Sequence, residues 1–333
     1  MAEKEASSCR PLQQRKWQAH SQCARMCASV ALAGPTSAFT VLTWNTLAPV
    51  YFRQAGFRDE TEASLRSVAL ARCEKICRVL AASAADVVCL QEHWFDSNHQ
   101  AVYQQLAQKH GYRYESLQRS GWNCDGRSED GIAILVKEEV LDVRERHEVH
   151  FHSYGIPQDR VALLLSLSDR RRPGGAGKLA VMCTHLTFPH SYYDERSREA
   201  QIMACLDACE RHASPDTALV FAGDFNGPSD DAISERLKKA RFQNAWDEHC
   251  GTPCRVTHCD HRGNQFASDH IWLRGRLGVL KCKLLPEGIP DDAAMPRPVA
   301  GRAREGPQLP SSFEEWCHLS DHRPLLSELC WLS

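Results

Sequence analysis

Four apolar stretches of this 333-residue sequence stop on side chains that could bind a metal ion or transfer a proton. They end, in chain order, at Asn45, at Glu92, at His185 and at the pair Asp224 and Asn226. A short apolar run bounded by polar residues is typical of a buried strand, so each side chain would lie where a strand leaves the core. The pattern therefore indicates metal-binding or proton-transfer chemistry along one edge of a sheet.

Three further acids stand just before apolar runs instead of after them. Asp130 and Asp269 precede "GIAILVK" and "HIWL", and Asp321 with His322 precedes the last run. Strands that run in the opposite direction in a mixed sheet would bring these acids to the same edge. Carboxylates close together raise one another's pKa unless a divalent ion compensates, so an acidic cluster here predicts a metal. The members of that cluster are Glu92, Asp224, Asp269 and Asp321. A carboxylate beside His322 would favour its charged form and fix its orientation.

The elements that must position these residues can be read from the apolar spacing. Eight short apolar runs between Phe39 and Leu332 predict strands, and spacings of three and four residues predict helices. The helices are expected near residues 65–80, 97–111, 194–213 and 229–241. Ser97 and Ser229 are the expected N-terminal caps of two of them. Because some strands adjoin directly, the order favours an α/β (α+β) sandwich of mixed sheets over a regular βαβ wheel.

The composition, 43% hydrophobic and 25% charged, is typical of a soluble globular protein. The net charge of −2 gives no general attraction to polyanions, so contact with nucleic acid would need a local basic patch. Many of the 16 cysteines fall in helix-like or apolar segments, where thiols are buried. We therefore expect a reducing, cytoplasmic location, with nuclear and organellar locations left open, and no transmembrane segment or secretory signal.

The chain divides into a tail and one large domain. Residues 1–37 are polar with little periodicity and predict a disordered or loosely ordered tail. The predicted domain spans 38–333, and its Pro- and Gly-rich segment at about 286–312 is expected to be a surface insertion.

Other motifs could contact ligands. The segment 249–261 concentrates histidines and cysteines that could bind zinc, but its spacing matches no regular zinc finger. Arginines 170–172 could contact nucleic acid, although the adjacent "PGGAG" favours a solvated hairpin tip. Arg160 precedes a strand and could reach a phosphate at the sheet edge. The loop with Phe188 and His190 could contact a substrate base or head group, or could only shape the loop.

The ordered set W-N, Q-E, D-G, T-H-L, G-D-F-N, S-D-H-I and S-D-H resembles the endonuclease/exonuclease/phosphatase superfamily over about residues 39–333. That superfamily includes deoxyribonucleases, abasic-site endonucleases, deadenylases, inositol polyphosphate 5-phosphatases and neutral sphingomyelinases. "TWNTLAPVYFR" and "CTHLTFPH" are most similar to the deadenylase and nocturnin side, and "CDHRGNQFASDHIWL" is similar to plant members that carry EF-hands. The insertion here has no D-x-D-x-D-G loop, so no calcium EF-hand is carried over. The resemblance implies a four-layer sandwich of two mixed β-sheets packed face to face, with helices on both outer sides.

The resemblance also implies which residues hold the metal ion and the attacking water. Glu92, with Asn45 beside it and Asp321 across the site, would hold Mg²⁺, with Mn²⁺ as a substitute, because hard oxygen ligands suit these ions. Asp224 would orient and deprotonate the water. Asn226 would fix the water or a phosphate oxygen.

The remaining implied roles concern the phosphate. His322, paired with Asp269, would donate to one nonbridging phosphate oxygen, and His185 would donate to another. Two positions depart from the family pattern. Asp130, a candidate substrate contact, falls where many relatives have Asn, and Leu47 falls where the endonuclease branch has a metal-site Asp.

The sequence thus predicts a Mg²⁺-dependent hydrolase of phosphate esters that uses an Asp-activated water. The first hypothesis is a deadenylase-like RNA or nucleotide phosphodiesterase. The alternatives are a phosphatase or phospholipase-C-type enzyme acting on inositol phosphates, sphingomyelin or another small phosphoester, and a catalytically silent binding protein. A polynucleotide substrate would need aromatic or basic side chains beside the site to stack bases. The candidates are Trp94, Phe95, Tyr192 and Tyr193. A membrane substrate would need an exposed apolar lip, which the sequence does not clearly supply.

Overall fold

A computed structural model describes residues 37–53, 61–121, 128–172, 174–260, 262–287, 289–291, 293–295 and 316–332. The tail and most of the predicted insertion lie outside these ranges, so the predicted domain boundaries stay predictions. The strands are β1 (Ala38–Asn45), β2 (Val87–Trp94), β3 (Tyr112–Gln118), β4 (Asp130–Lys137), β5 (Leu141–His150), β6 (Val161–Asp169), β7 (Lys178–His185), β8 (Ala218–Asp224), β9 (Gln243–Asn244), β10 (His258–Cys259), β11 (Gln265–Phe266), β12 (Asp269–Arg274), β13 (Leu277–Leu284) and β14 (Leu325–Trp331). The α-helices are α1 (Arg66–Ser83), α2 (Ser97–His110), α3 (Tyr192–His212), α4 (Ala232–Lys239) and α5 (Ala245–Cys250), and 3₁₀ turns span Glu62–Ser64 and Phe151–Tyr154.

The strands form two six-stranded mixed sheets and one short hairpin. The first sheet has the order β13-β14-β1-β2-β4-β3, the second has the order β5-β6-β7-β8-β12-β9, and β10 pairs with β11. β1 and β2 are parallel, as are β7 and β8, while the other neighbours are antiparallel. The reversed direction expected for the strands after Asp130 and Asp269 is present, because β4 runs antiparallel to β2 and β12 runs antiparallel to β8.

The main core lies between the two sheets. Successive side chains of a strand point to opposite faces. In β1, Phe39 and Val41 therefore face the second sheet, whereas Leu42 and Trp44 face the helices. Each such apolar side chain stabilises the fold by about 1.5–3 kcal/mol when fully buried. Because both faces are covered, the central strands are nearly continuous apolar runs, which is why they are visible in the sequence.

Helices cover the outer face of each sheet. Helices α1 and α2 pack on the first sheet through Ile76, Leu80 and Leu106. Helices α3 and α4 pack on the second through Ile202 and Leu237. The predicted four-layer sandwich is therefore confirmed. Within the described ranges, no helix is long and apolar enough to span a membrane.

Two predicted helix caps are wrong by one or two residues. Helix α2 is capped by Asp96 instead of Ser97. Oδ1 of Asp96 accepts the backbone N–H groups of Asn98 at 2.9 Å and of His99 at 3.4 Å. Helix α4 is capped by Asp231 instead of Ser229, through a backbone N–H at 2.8 Å. Both observed caps are aspartates, and their negative charge adds a favourable interaction with the positive end of the helix dipole.

Candidate active site

The polar strand ends meet where the two sheets face each other. In the first sheet, Asn45 and Glu92 lie near the carboxyl ends of the parallel strands β1 and β2. In the second, His185 ends β7 and is in register with Asp224, which is also paired with Asp269 at the start of β12. Carboxyl ends of parallel strands share one edge, and the antiparallel β12 begins at that edge. The sheet topology alone therefore gathers these side chains.

One amide joins the two sheets. Nδ2 of Asn45 donates to Oε1 of Glu92 at 3.1 Å and to Oδ2 of Asp224 at 3.0 Å. The Oδ1 atom of Asn45 accepts the backbone N–H of Leu47 at 3.0 Å. The buried Arg72 guanidinium in turn donates to the Leu47 carbonyl at 2.7 Å. With both ends of its amide engaged, Asn45 is fixed in orientation.

Glu92 enters the site through an irregularity in β2. Its backbone φ is +53°, and the register between β2 and β4 shifts at this point. A bulge of this kind re-aims a side chain, and positive φ at a non-glycine residue is often found at functional sites. Oε2 of Glu92 accepts the backbone N–H of Ala48 at 2.8 Å. Burial, with the carboxylates of Asp321 and Asp130 nearby, raises the pKa of Glu92 to about 7.

Asp224 and Asn226 form a second strained turn. The backbone N–H of Asn226, which has a φ of +54°, donates to Oδ1 of Asp224 at 2.9 Å. Nδ2 of Asn226 donates to the Leu186 carbonyl at 2.7 Å. Nε2 of His185 lies 3.3 Å from Oδ2 of Asp224. Burial raises the pKa of Asp224 and, with Arg160 nearby, holds the pKa of His185 well below its usual range, which favours the neutral imidazole.

His322 is held from behind by a fully buried carboxylate. Its Nδ1 lies 2.8 Å from Oδ2 of Asp269, which also accepts the Thr257 hydroxyl at 2.7 Å. Burial alone would lower the pKa of His322, but Asp269, Asp321 and Asp224 outweigh it and raise that pKa to about 10. Nε2 of the resulting imidazolium lies 3.8 Å from Oδ2 of Asp224 and 3.8 Å from Oδ1 of Asp321.

These residues surround a cavity of about 560 Å³. The predicted site residues on its wall are Asn45, Glu92, Arg160, His185, Phe188, His190, Asp224, Asn226, Asp321 and His322. Asp269 lies behind His322 instead of on the wall. Asp130 is also buried behind the wall, where its Oδ1 pairs with Nη1 of Arg119 at 3.3 Å. Asp130 therefore lies behind the residues that line the cavity and does not contact the cavity itself.

Residues 42–322, most of the chain, match the Endonuclease/Exonuclease/phosphatase family. The chain belongs to this family. Its members are phosphodiesterases, phosphatases and nucleases, so the predicted enzyme class, a hydrolase of phosphate esters, is confirmed at the level of the family.

Individual relatives are similar to this chain over most of its length. An uncharacterized calcium-binding protein of Arabidopsis thaliana is 27% identical over 266 residues, which cover 75% of this chain and 53% of that protein. The chain thus spans about half the length of this relative. The structure of ANGEL2, a 2',3'-cyclic phosphatase, in complex with adenosine-2',3'-vanadate aligns with a TM-score of 0.65 and 19% identity over 89% of this chain and 96% of that one. The human Nocturnin catalytic domain with bound sulfate anion aligns with a TM-score of 0.61 and 19% identity, over 88% of this chain and 93% of that one. The predicted resemblance to nocturnin-like and plant members of the family is confirmed.

Several residues on the cavity wall escaped the sequence interpretation. They are Tyr51, Arg53, His258, Asp260, Arg262, Asn264 and Phe266. Most lie on the hairpin of β10 and β11, inside the segment considered for zinc. The only signal in the sequence was the concentration of polar and aromatic residues in "THCDHRGNQF".

The zinc alternative has no support in the described residues. The groups of three or more side chains close enough to share an ion contain no cysteine; they are His258, Asp321 and His322, and Asp224, Asp269 and His322. Cys250 is exposed, whereas Cys254 and Cys259 are buried in separate apolar clusters. His261, also considered as a ligand, lies outside the described residues.

Proposed function

We propose that this chain is a Mg²⁺-dependent hydrolase of phosphate esters whose preferred substrates are RNA or nucleotide phosphodiesters. One observation carries the proposal, namely the convergence of an amide and two imidazoles on the Asp224 carboxylate. Its Oδ2 is 3.0 Å from Nδ2 of Asn45 and 3.3 Å from Nε2 of His185. It is also 3.8 Å from Nε2 of His322. A carboxylate base beside charged and neutral donors suits attack of a water on a phosphate, since the donors can face the equatorial oxygens.

The acids of the site fit Mg²⁺. Oδ1 of Asp321 is buried and has no hydrogen-bond partner in the described part of the chain. The raised pKa of Glu92 reflects a carboxylate whose charge lacks compensation. Hard oxygen donors suit Mg²⁺ or Mn²⁺, so Glu92 and Asp321, with Asn45 beside them, would hold the ion. When bound, it would stabilise negative charge that develops on the phosphate.

Asp224 would act as the general base. Its Oδ1 accepts the backbone N–H of Asn226, so Oδ2, which also accepts a hydrogen bond from Nδ2 of Asn45, would be the oxygen that takes a proton from water. Burial raises the pKa of Asp224, which makes it a stronger base than an exposed aspartate. Because Nδ2 of Asn226 is engaged by the Leu186 carbonyl, the amide oxygen of Asn226 is left to orient the water.

The two histidines would donate to phosphate oxygens in different ways. His322 is an imidazolium with Nδ1 held by Asp269, so Nε2 presents a charged donor to the cavity. His185 is neutral and adds an uncharged donor near the same carboxylate. Charge-assisted hydrogen bonds are about twice as strong as neutral ones, so His322 would contribute more to transition-state stabilisation.

The mouth of the cavity favours a nucleotide substrate. Tyr51 and Phe266 line it and are 42% and 37% exposed. Tyr192 and Tyr193 follow the wall residue His190 by two and three positions and are 64% and 78% exposed. Aromatic rings beside a phosphate site can stack bases, each worth about 1–3 kcal/mol. Trp94 and Phe95, the other candidates for stacking, do not line this cavity.

Cations accompany these rings. Arg53, Arg160 and Arg262 lie on the cavity wall, where they could pair with phosphates of the substrate. Rings mixed with arginines suit a nucleotide chain better than a lipid, for which an apolar lip would be needed. The cytoplasmic location stays a prediction.

A phosphatase acting on a small phosphomonoester, such as an inositol phosphate, is the second candidate. Arg160 favours it, because this half-buried cation has no carboxylate within ion-pair distance among the described residues. The second charge of a phosphomonoester could provide that partner. A catalytically silent binding protein would not need a base, a charged donor and metal-type acids together.

The test is a metal-dependent hydrolysis screen with Asp224→Asn. The substrates are poly(A), dinucleotides, nucleotide phosphates, inositol phosphates and sphingomyelin. The variant should lose roughly 10²- to 10⁴-fold in kcat, as expected for removal of a general base. Asp169→Asn is the matched control, because Asp169 is another buried carboxylate at the opposite end of the second sheet. Asp224→Asn activity within about tenfold of wild type would refute the assignment of the base.

A further inference from the structure

His258 is held against two residues of the proposed chemistry without taking part in it. It lies in β10, is 7% exposed and lines the cavity. Its backbone forms an antiparallel bridge with His322. The next residue, Cys259, donates its backbone N–H to the Asp321 carbonyl at 2.9 Å. The backbone of β10 therefore holds the main chain of His258 beside that of His322.

The ring of His258 stacks on the ring of His322. The centroids are 4.0 Å apart and the planes differ by 8°. The ring of Phe266 also lies beside His258, with centroids 5.7 Å apart. His322 thus has Asp269 at one ring nitrogen and a flat neighbour against its face, which together restrict both its position and its tilt.

His258 also contacts one oxygen of Asp321. Its Nε2 lies 3.4 Å from Oδ2, while Oδ1 has no hydrogen-bond partner among the residues described. One oxygen of the carboxylate is therefore held by His258, and the other is buried without a hydrogen-bond partner among the residues described.

A direct role for both histidines as ligands to one ion is disfavoured by the same geometry. Imidazole binds a metal with a lone pair that lies in the ring plane. The two rings are nearly parallel and stacked, so no point within metal-bonding distance of both rings lies in both ring planes. Although their nitrogens are close enough to share an ion, His258 and His322 would need a change of side-chain conformation to bind it with both lone pairs in plane.

We propose that His258 is a positioning residue that holds Oδ2 of Asp321 and the ring plane of His322, so that Asp321 presents Oδ1 to the metal ion. The inference rests on the proposed function, because it takes Asp321 as a metal ligand. Partners that orient metal ligands typically change metal affinity or activity by about 10- to 100-fold when they are removed.

Two variants separate the two contacts. His258→Phe keeps a flat ring against His322 but has no nitrogen for Asp321. His258→Gln keeps an N–H donor near the position of Nε2 but loses the ring. The readouts are Mn²⁺ affinity by electron paramagnetic resonance, which needs no turnover, and kcat at saturating Mn²⁺. His212→Phe is the matched control, since His212 stacks on His147 at 3.8 Å and does not line the cavity.

His258→Phe should weaken Mn²⁺ binding by about 10- to 100-fold and regain most of its kcat at saturating Mn²⁺. His258→Gln should bind Mn²⁺ nearly as well as wild type but lose on the order of tenfold in kcat. His212→Phe should change neither. Wild-type Mn²⁺ affinity in folded His258→Phe would overturn the proposal, as would equal losses of affinity in both variants. If His258→Phe does not fold, weakened Mn²⁺ binding by His258→Gln would overturn it. A wild-type protein that binds no Mn²⁺ would instead refute the proposed function.

Discussion

Without metal ions, raising the pH from 5 to 8 should destabilise this protein through Glu92. Burial and nearby carboxylates raise its pKa from 4.5 to about 7 in the folded state. Between these two values the folded protein holds a proton that the unfolded chain has released, so stability falls as pH rises. From pH 5 to the folded-state pKa of about 7 the change amounts to about 2 pH units at about 1.4 kcal/mol each, or roughly 2.8 kcal/mol as an upper limit. For a chain of 333 residues, whose unfolding entropy is about 0.7 kcal/mol/K, that loss corresponds to a decrease in Tm of about 4 °C.

The assay is thermal unfolding by circular dichroism in chelator, at half-unit steps from pH 5 to 8, for wild type and Glu92→Gln. Gln has no proton to lose, so the difference between the two proteins isolates Glu92 from buried histidines such as His185. Mg²⁺ should raise the Tm of wild type more at pH 8 than at pH 5, because the ion competes with the proton for Glu92. If Tm changed with pH in the same way in wild type and Glu92→Gln, the idea that Glu92 has a raised pKa and binds a cation would be refuted.

Two further predictions concern the donors and the mouth of the site. Asp269→Asn should move the basic limb of the pH–rate profile, measured at constant free Mg²⁺, from near 10 towards 7, because Asp269 contributes most to the raised pKa of His322; an unmoved limb would show that another group titrates there. Tyr192→Ala combined with Tyr193→Ala should lower kcat/KM for an oligonucleotide by on the order of 10- to 100-fold and leave a dinucleotide nearly unchanged. Equal losses on both substrates would rule out base stacking by these tyrosines.

The strands that carry the site could be predicted because they are buried on both faces. β1, β2, β7 and β8 are nearly continuous apolar runs, and each delivers a polar residue at its end. The edge strands could not. β5 has a half-exposed, charged sequence, "LDVRERHEVH", with its apolar residues mainly at its ends, and β3 is similar. Edge strands are stabilised by pairing with a neighbour, which a single-sequence pattern does not contain.

The gaps in the predicted site have local causes. The bulge that turns Glu92 into the cavity depends on backbone φ, which the types of the neighbouring residues did not indicate. His258 lies in a strand of only two residues, too short for any alternation to be recognised. Asp130 is the first residue of β4, at the strand end where it was expected, but only the structure places it behind the wall beside Arg119.

The amide of Asn45 spans the boundary between the two sheets, so the proposed reacting centre has one half on each side of that boundary. If one sheet shifted past the other by a fraction of an ångström, the hydrogen bond from Asn45 to Asp224 would lengthen while the one to Glu92 stayed in place. Substitutions deep in the interior, such as Leu163→Ala or Val181→Ala, could therefore slow turnover while every catalytic side chain stays in place. In this enzyme, the catalytic rate would then depend on how tightly the core between the two sheets is packed.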